Sequence, residues 1–492
     1  MKRAFFISLG LHVLLLILVI VGIPFNRREV VVQESVQIVE LAEISDETTS
    51  RSDTKTPLTL LETLLGLGAG RPVRLAFSNA SFLFEDPALG ARLAIRDLDG
   101  FFDRQDGAFV ITLGASLDRP EGEVRLDATL NGSAASDPLD AALSFAGLTP
   151  AALRESVALL MPGVSLALGP VRAGRLAGDV QARLDLRALA GPDPRLGLLN
   201  AFFRLEAGEV RLTLSGSLPE TPWEKLSSDL EVPHVLLAGR ATRGLESLPL
   251  DRLAVDLGHG ATLEARGEAQ DLATAPRISL RPVITGLATE DLIRLWPPFV
   301  AEGARTWMAE NLSRGRVREA VLDIVLAGPR LAEVAPVSLA GTADVEGLTV
   351  VYRAPLPPLE DVGGRLHLAL EAIRVDVAQA RVQGLDGLAL QGGTVVFTGL
   401  DAEDQFADIK ARISGPLAQA LTLIDHEPLG YAKAVGLVPA QVKGEAETEI
   451  SFAFPLLKTL TFEQVSLGVK ARLAGVALPR VVLGRDLGDG AF

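Results

Sequence analysis

Short runs of alternating apolar and polar residues, separated by glycines, constrain the fold of this chain more than any other feature. They begin near Arg71 and recur to the C-terminus. Alternation with a period of two predicts β-strands with one apolar and one polar face. The clearest runs are Val73–Phe77, Val124–Ala128, Val180–Leu186, Val210–Leu214, Leu253–Leu257, Leu366–Leu370, Val375–Val377, Ile450–Phe454 and Val465–Leu473. The sequence therefore predicts a mainly β chain.

The links between these runs contain Gly, Asn, Asp and Pro, which favour tight turns and antiparallel pairing of successive strands. The candidate turns include Asn131-Gly132, Gly363-Gly364 and Gly392-Gly393. Helical spacing between the strand blocks is found in Leu148–Leu160, Thr289–Asn311 and Pro416–Gly436. We therefore expect a long, twisted, mostly antiparallel sheet with a few short helices.

The apolar faces of these strands have two interpretations. Hydrophobic residues make up 48% of the chain but aromatic residues only 5%, so these faces are aliphatic. A smooth aliphatic face favours an elongated, taco-like trough for acyl chains, each buried CH₂ contributing about 0.8 kcal/mol. The alternative is that the faces pack together as a sandwich core. The candidate lining residues are Val210, Leu212, Leu214, Leu253, Val255, Leu257, Leu366, Leu368, Leu370, Ile450, Phe452 and Phe454.

The N-terminal segment Ala4–Phe25 contains no charged side chain. A helix of this length would reach about 33 Å, enough to cross a bilayer core of roughly 30 Å. A cleaved signal peptide is the alternative, but its apolar region is usually only about 7–15 residues long. Lys2 and Arg3 face Arg27 and Arg28 across the span, so charge gives only a small bias towards a cytoplasmic N-terminus. The segment predicts one transmembrane helix.

Composition excludes several classes of function. A net charge of −15 and a pI near 5.0 argue against nucleic-acid binding. The chain contains no cysteine, which excludes thiol catalysis, disulfides and Cys-ligated metals. Nucleophile-turn and phosphate-loop motifs are absent, so we predict no enzyme activity, no cofactor and no metal site. Asp425-His426-Glu427 is one candidate metal or acid/base cluster, although exposed polar residues in a turn are the simpler interpretation.

Three segments carry a resemblance to a known family. Leu295–Ala320 includes Trp296, Pro297, Trp307 and Asn311, and the other two segments are Gly341–Pro358 and Pro416–Gly436. Together they resemble the AsmA-like family of envelope proteins, in particular its YhdP-type members, over about residues 71–492. From their spacing, Trp296 and Trp307 are expected to pack a short helical insertion onto the sheet, while a ligand site is the alternative.

The resemblance implies an inner-membrane protein of Gram-negative bacteria with a β-rich periplasmic body. Such a protein would bind or conduct phospholipid acyl chains between the envelope membranes and support outer-membrane integrity. The alternative is a non-transporting scaffold or outer-membrane assembly factor that binds protein partners through its sheet edges. An enzyme is the third interpretation and would require a closed pocket with convergent polar groups.

The N-terminal anchor resembles a different class. Ser8 and His12 stand four residues apart in the span, and an acidic-aliphatic stretch follows. Over about residues 1–45 this resembles the anchors of TonB- and TolA-type energy-coupling proteins, which contact a proton-channel complex. The resemblance implies that Ser8 and His12 couple the anchor to the proton-motive force. A tolerated pair of polar residues in the span is the alternative.

These patterns predict five regions. Residues 1–28 form a cytoplasmic tip and transmembrane helix, and residues 29–56 form an acidic-aliphatic stretch and polar linker. The first part of the β-rich body spans residues 57–288, and a helical insertion spans residues 289–320. The second part spans residues 321–492 and begins a further strand unit near its end, as expected of a truncated body.

Overall fold

Strands dominate the computed structural model of the chain. It describes residues 73–86, 91–105, 107–119, 122–133, 138–150, 171–185, 188, 194–215, 227–272, 274–295, 302–329, 334–400, 402, 404–427, 429–434, 436–457, 464–482 and 485–490. Strands account for 73% of the described chain, which makes it a mainly β protein, as the alternation predicts.

The strands form one long antiparallel sheet. Their bounds are β1 Val73–Asp86, β2 Ala91–Gln105, β3 Ala108–Arg119, β4 Gly122–Gly132, β5 Leu139–Leu148, β6 Val171–Leu184, β7 Leu198–Ser215, β8 Ser227–Thr242, β9 Ser247–Gly258, β10 Ala261–Gln270, β11 Arg277–Ala288, β12 Leu312–Ser313, β13 Arg316–Ala327, β14 Ala335–Val350, β15 Leu359–Ala369, β16 Ala372–Val382, β17 Leu385–Thr398, β18 Phe406–Pro416, β19 Lys443–Pro455, β20 Ser466–Val482 and β21 Arg485–Gly490.

The sheet is a meander in which each strand pairs with the next one along the chain. The exception is the two-residue β12, which pairs with β14, so that β11 pairs directly with β13. In an antiparallel meander the connections alternate between the two long edges of the sheet. We call the edge that carries the connections after β5, β7, β9, β11, β14, β16 and β18 the helical edge, and the opposite one the hairpin edge.

The described α-helices of more than one residue all lie at the helical edge. They are α1 (Thr289–Leu295) and α2 (Glu302–Asn311) after β11, and α3 (Leu417–Asp425) and α4 (Tyr431–Ala434) after β18. The predicted helical segments Thr289–Asn311 and Pro416–Gly436 are therefore confirmed, each as a pair of shorter helices. Within the described part of the chain, no helix has the length and apolarity that crossing a membrane requires.

Two of the three predicted turns are wrong. Gly363-Gly364 lies inside β15, and Gly392-Gly393 lies inside β17, where the register with β18 shifts. A side chain on Gly364 would overlap the backbone oxygen of Asp376 in the next strand. These glycines therefore permit close approach of neighbouring strands and bulges, and do not reverse the chain. Asn131-Gly132 does stand at the end of β4, next to a connection.

The helical insertion is shorter than the predicted interval 289–320. Its helices end at Asn311, and β13 already begins at Arg316. The first predicted helical segment, Leu148–Leu160, is described only as far as Pro150, and its Leu148 is the last residue of β5. The remainder of that segment lies outside the described residues.

Candidate functional site

The register of the sheet gathers apolar side chains of successive strands on one face. Residues directly opposite each other in neighbouring antiparallel strands point to the same side of a sheet. One such row runs from Leu366 through Val375, Val395 and Ile409 to Phe452. We call this side of the sheet the apolar face and the other side the polar face.

The apolar face is closed to solvent over β7–β11, which we call the central zone. Another row of paired residues crosses it through Leu205, Leu237, Leu253 and Ala265. Leu237 is 0% and Leu253 1% exposed, and both belong to one hydrophobic cluster that also contains Ile278. In this zone the apolar side chains pack as a core.

The apolar face is open over β1–β5, the N-terminal zone. Leu113 and Leu143 are 40% and 41% exposed, although both are large aliphatic residues in the middle of their strands. Phe77 is 38% exposed in the same way. Buried Phe102 and Phe109 form a cluster near the hairpin edge. This zone therefore presents an aliphatic surface to solvent.

The apolar face is partly open again over β14–β20, the C-terminal zone. Val375, Val395 and Ile409 are half-buried. Towards the end of the sheet, Leu467 and Val469 of β20 are 46% and 57% exposed. The central core thus separates two accessible stretches of one apolar face.

The predicted lining residues whose side chains the structure describes occupy strand positions on the apolar face, except Leu370, which follows β15. Val210, Leu253 and Leu257 are buried and Val255 is half-buried, so these four belong to the packed region. Leu212 and Leu214 lie in β7, but their side chains are outside the described set. The half-buried members are Leu366, Leu368, Leu370, Ile450, Phe452 and Phe454.

Four exposed aliphatic residues of the apolar face were not among the predicted lining. Leu113, Leu143, Leu467 and Val469 have the same alternation as their neighbours, so the sequence pattern did contain them. The pattern does not show whether an apolar face is covered, because strands of the open and closed zones have the same two-residue alternation. Exposure is therefore the property that the structure adds.

The polar face carries pairs of arginines and carboxylates that cross between strands. Asp344 of β14 accepts hydrogen bonds from Arg365 at 2.6 Å and from Arg318 at 2.9 Å. These two bonds, that from Arg365 foremost, hold the pKa of the Asp344 carboxyl well below its usual range. Further pairs join Arg211 to Glu231 at 2.6 Å. These charged pairs are exposed, as are Phe101 and Phe202 on the same face.

Helix α1 covers part of the apolar face at the helical edge. Its Leu292 and Leu295 pack against buried Leu257, Ala261 and Leu287 at the ends of β9, β10 and β11. These contacts are aliphatic on both sides, as expected for an inserted helix that seals the margin of a core. The helix therefore closes the central zone on this edge.

A buried carboxylate fixes α1 to the sheet. Asp291 accepts a hydrogen bond from Arg294 at 3.1 Å and lies 2.8 Å from Nδ1 of His259 in the β9–β10 turn. Arg294 also donates to the backbone oxygen of Leu257 at 3.1 Å. Burial raises the pKa of Asp291, but the bonds to His259 and Arg294 outweigh it and the net shift is downward. The sequence did not predict these contacts of Asp291 with His259 and Arg294.

Helix α3 covers the apolar face in the same way further along the edge. Leu417 and the half-buried Leu421 pack against Val442, Ala446 and Val476 beside β19 and β20. Helix α3 also contacts the cluster around Leu385 and Leu388 of β17 through Ala420 and Leu423. The two helical insertions are thus equivalent in position and packing.

The structure describes two residues of the predicted structural motif, Trp307 and Asn311. Trp307 of α2 is 48% exposed, and the described contacts of the insertion with the sheet include the leucines of α1. Asn311 donates to the backbone oxygen of Trp307 at 2.8 Å and so closes the last turn of α2. Trp296 and Pro297 lie outside the described residues.

The candidate cluster Asp425-His426-Glu427 lies at the end of α3. Asp425 accepts a hydrogen bond from the backbone N–H of Lys433 at 2.7 Å, and exposed His426 follows α3 directly. Asp425 therefore joins α3 to α4. Among the described residues, no group of three or more His, Asp or Glu side chains is placed to hold a metal ion.

The predicted anchor lies outside the described residues, including Ala4–Phe25 and both Ser8 and His12. Comparison with known proteins gives no further assignment. No protein-family model matches the chain, and searches of curated proteins and of solved structures find no significant match. The resemblance to AsmA-like proteins stays a prediction.

Proposed function

We propose that this chain binds phospholipid by its acyl chains along the apolar face of the sheet. In this proposal the face is an elongated trough, and the protein carries or conducts lipid between the two membranes of a Gram-negative envelope, supporting outer-membrane integrity. The observation that carries it is the pair of open zones, where Leu113, Leu143, Leu467 and Val469 leave aliphatic surface in contact with water.

Exposed aliphatic surface of this extent favours an apolar ligand. Single exposed hydrophobic residues are ordinary, but a contiguous exposed patch usually marks a binding surface. These residues lie on one face in register, and the opposite face carries Arg–carboxylate pairs. About ten acyl carbons removed from water would contribute roughly 8 kcal/mol before the entropic cost of binding.

A featureless aliphatic wall also suits movement of the ligand. Acyl chains on such a wall make dispersion contacts that change little as the chain slides, because no polar group fixes one position. The arginine–carboxylate pairs between neighbouring strands lie on the polar face, and the Asp291–Arg294 pair lies at the helical edge. The proposal therefore includes transport as well as storage.

The proposed location follows from the predicted anchor. With Ala4–Phe25 as a single span of the inner membrane, a cytoplasmic N-terminus would place the sheet in the periplasm. Ser8 and His12 would then contact a proton-channel complex in the membrane. Replacing His12 by Ala should abolish any dependence of lipid transfer on the proton-motive force and leave lipid binding unchanged.

Photo-crosslinking of the full-length chain tests the lipid site. A photoreactive residue at Leu113 lies on the apolar face, and one at Val110 lies on the polar face of the same strand with nearly equal exposure, 40% against 38%. We expect phospholipid adducts from Leu113 and not from Val110. Mass spectrometry identifies the adducts.

The opposite outcomes separate the alternatives. Protein adducts at Leu113 in place of lipid would favour the scaffold or assembly factor, whose apolar face would be covered by a partner. Equal lipid labelling at both positions would indicate non-specific contact and contradict the proposal, as would purified protein from which solvent extraction releases no phospholipid.

A further inference from the structure

The two long edges of the sheet differ in aromatic content. The chain has three Trp and two Tyr. Trp307, Tyr352 and Tyr431 all lie in connections at the helical edge and are 48%, 42% and 48% exposed. Trp223 and Trp296 lie outside the described residues. Strands and hairpin-edge connections contain neither residue type.

Exposed Trp and Tyr in this arrangement indicate a boundary between apolar and aqueous surroundings. Their rings are apolar while the indole N–H and the phenol O–H seek polar partners, so both residues concentrate where acyl chains meet headgroups. A role in packing α2 would bury Trp307, which is half exposed. Exposed aliphatic residues do not distinguish the edges, since Leu457 at the hairpin edge is 51% exposed.

The edges also differ in charge. Among the described residues, the connections at the hairpin edge contain five acidic and two basic residues, whereas those at the helical edge contain six acidic and five basic residues. An acidic margin repels phosphate groups, and a nearly balanced one does not. Exposed cations stand beside the aromatic residues, with Arg353 next to Tyr352 and Lys433 two residues after Tyr431.

The exposed aromatic residues are spread along the helical edge and do not form one patch. Val351 donates to the backbone oxygen of Asn311 at 2.9 Å, which joins the end of α2 to the connection that carries Tyr352. Tyr431 follows β18, four strands after β14, and strands spaced by about 4.8 Å put it roughly 19 Å from Tyr352 along the edge. Such a line matches a row of bound lipids better than one protein contact.

The geometry points to the helical edge, outside the stretches that α1 and α3 cover, as the margin at which the phosphate-bearing headgroups of bound phospholipids emerge into water. This inference rests on the proposed function, because it requires acyl chains on the apolar face. The Trp and Tyr side chains would then stand at the level of the glycerol and phosphate groups, while the acidic hairpin edge stays free of headgroups. The ligand class is a phospholipid in one fixed orientation across the sheet.

Fluorescence quenching of Trp tests this orientation. The full-length chain is loaded with phosphatidylcholine that carries a nitroxide either on the headgroup or at the end of an acyl chain. One variant keeps Trp307 alone (Trp223→Phe, Trp296→Phe). The matched variant moves the reporter to the hairpin edge (Trp223→Phe, Trp296→Phe, Trp307→Phe, Leu457→Trp), at nearly the same exposure.

We expect the headgroup nitroxide to quench Trp307 at least twice as strongly as it quenches the reporter at position 457. In the variant that keeps Trp307 alone, the headgroup label should quench more than the acyl label. Equal or stronger headgroup quenching at position 457, or stronger acyl quenching of Trp307, overturns the inference while leaving lipid binding intact. A chain that retains neither labelled lipid overturns the proposed function itself.

Discussion

Replacing Phe77 by Asp places a charge on the open part of the apolar face and offers a demanding test of the acyl-chain site. Phe77 lies opposite Gly100, and Gly100 lies opposite Leu113, so the three residues form one row across β1, β2 and β3. Phe101 provides the matched control, because it lies on the polar face of β2 and is also 38% exposed. The two variants change the same side chain at the same exposure.

The magnitude follows from the exposed area. A Phe side chain presents about 200 Å², so the exposed 38% of Phe77 offers roughly 75 Å² to an acyl chain. At ~25 cal/mol per Å² that contact contributes about 1.9 kcal/mol. A carboxylate beside the acyl chain adds a desolvation cost of at least about 1 kcal/mol. The sum of about 3 kcal/mol corresponds to a roughly 100-fold weaker Kd.

Photo-crosslinking from Leu113, titrated with phospholipid, measures occupancy of the N-terminal zone without interference from the C-terminal zone. We expect Phe77→Asp to raise the apparent Kd about 100-fold and Phe101→Asp to change it by less than about threefold. Thermal unfolding should shift similarly for the two variants, since both lose the same fraction of packed ring. An equal rise in Kd for both variants would refute the assignment of lipid to the apolar face.

Two further predictions concern the sheet itself. Leu253→Ala should lower the free energy of unfolding by about 2–5 kcal/mol in a urea titration, while Leu143→Ala in the open zone should cost less than half as much; similar losses would contradict the closed central core. The lowered pKa of Asp344, due to Arg365 and Arg318, makes its contribution to stability complete above an ordinary Asp pKa of about 3.9 and smaller below it. The Tm advantage of the unchanged chain over Asp344→Asn should therefore shrink as the pH falls from about 4 towards 2.5, and a constant difference would argue against this pairing.

Strand positions could be predicted from the sequence because alternation records which side chains share a face. Leu253–Leu257 and Ile450–Phe454 both lie in strands, as their pattern predicts. Neither run shows whether its face is covered, yet Leu253 is buried and Phe452 only half-buried. Covering depends on residues distant in sequence, and a local period contains no information about them.

Glycine pairs failed as turn signals for a related reason. Gly364 has no side chain because the Asp376 backbone of the next strand occupies that space, and Gly393 meets the backbone of Lys410 in the same way. Close strand approach and chain reversal both require Gly, so composition alone cannot separate them. The ion pairs could not be predicted from the sequence either. Arg365 and Asp344 can be recognised as partners only when the register of β14 and β15 is known.

The closed central zone decides what transport would require. A lipid that moves from the N-terminal to the C-terminal zone must pass Leu237 and Leu253. Both side chains are buried in the hydrophobic cluster of the central zone. Opening them to water would cost about 2 kcal/mol for each side chain. Opening them onto an acyl chain replaces one apolar contact by another, so most of that cost disappears. The central zone would therefore open only when a lipid enters it. The acyl chain would separate the packed side chains, and these would pack together again after the lipid has passed. Bulky polar substitution at Leu237 should then block transfer between the zones while each zone still binds lipid.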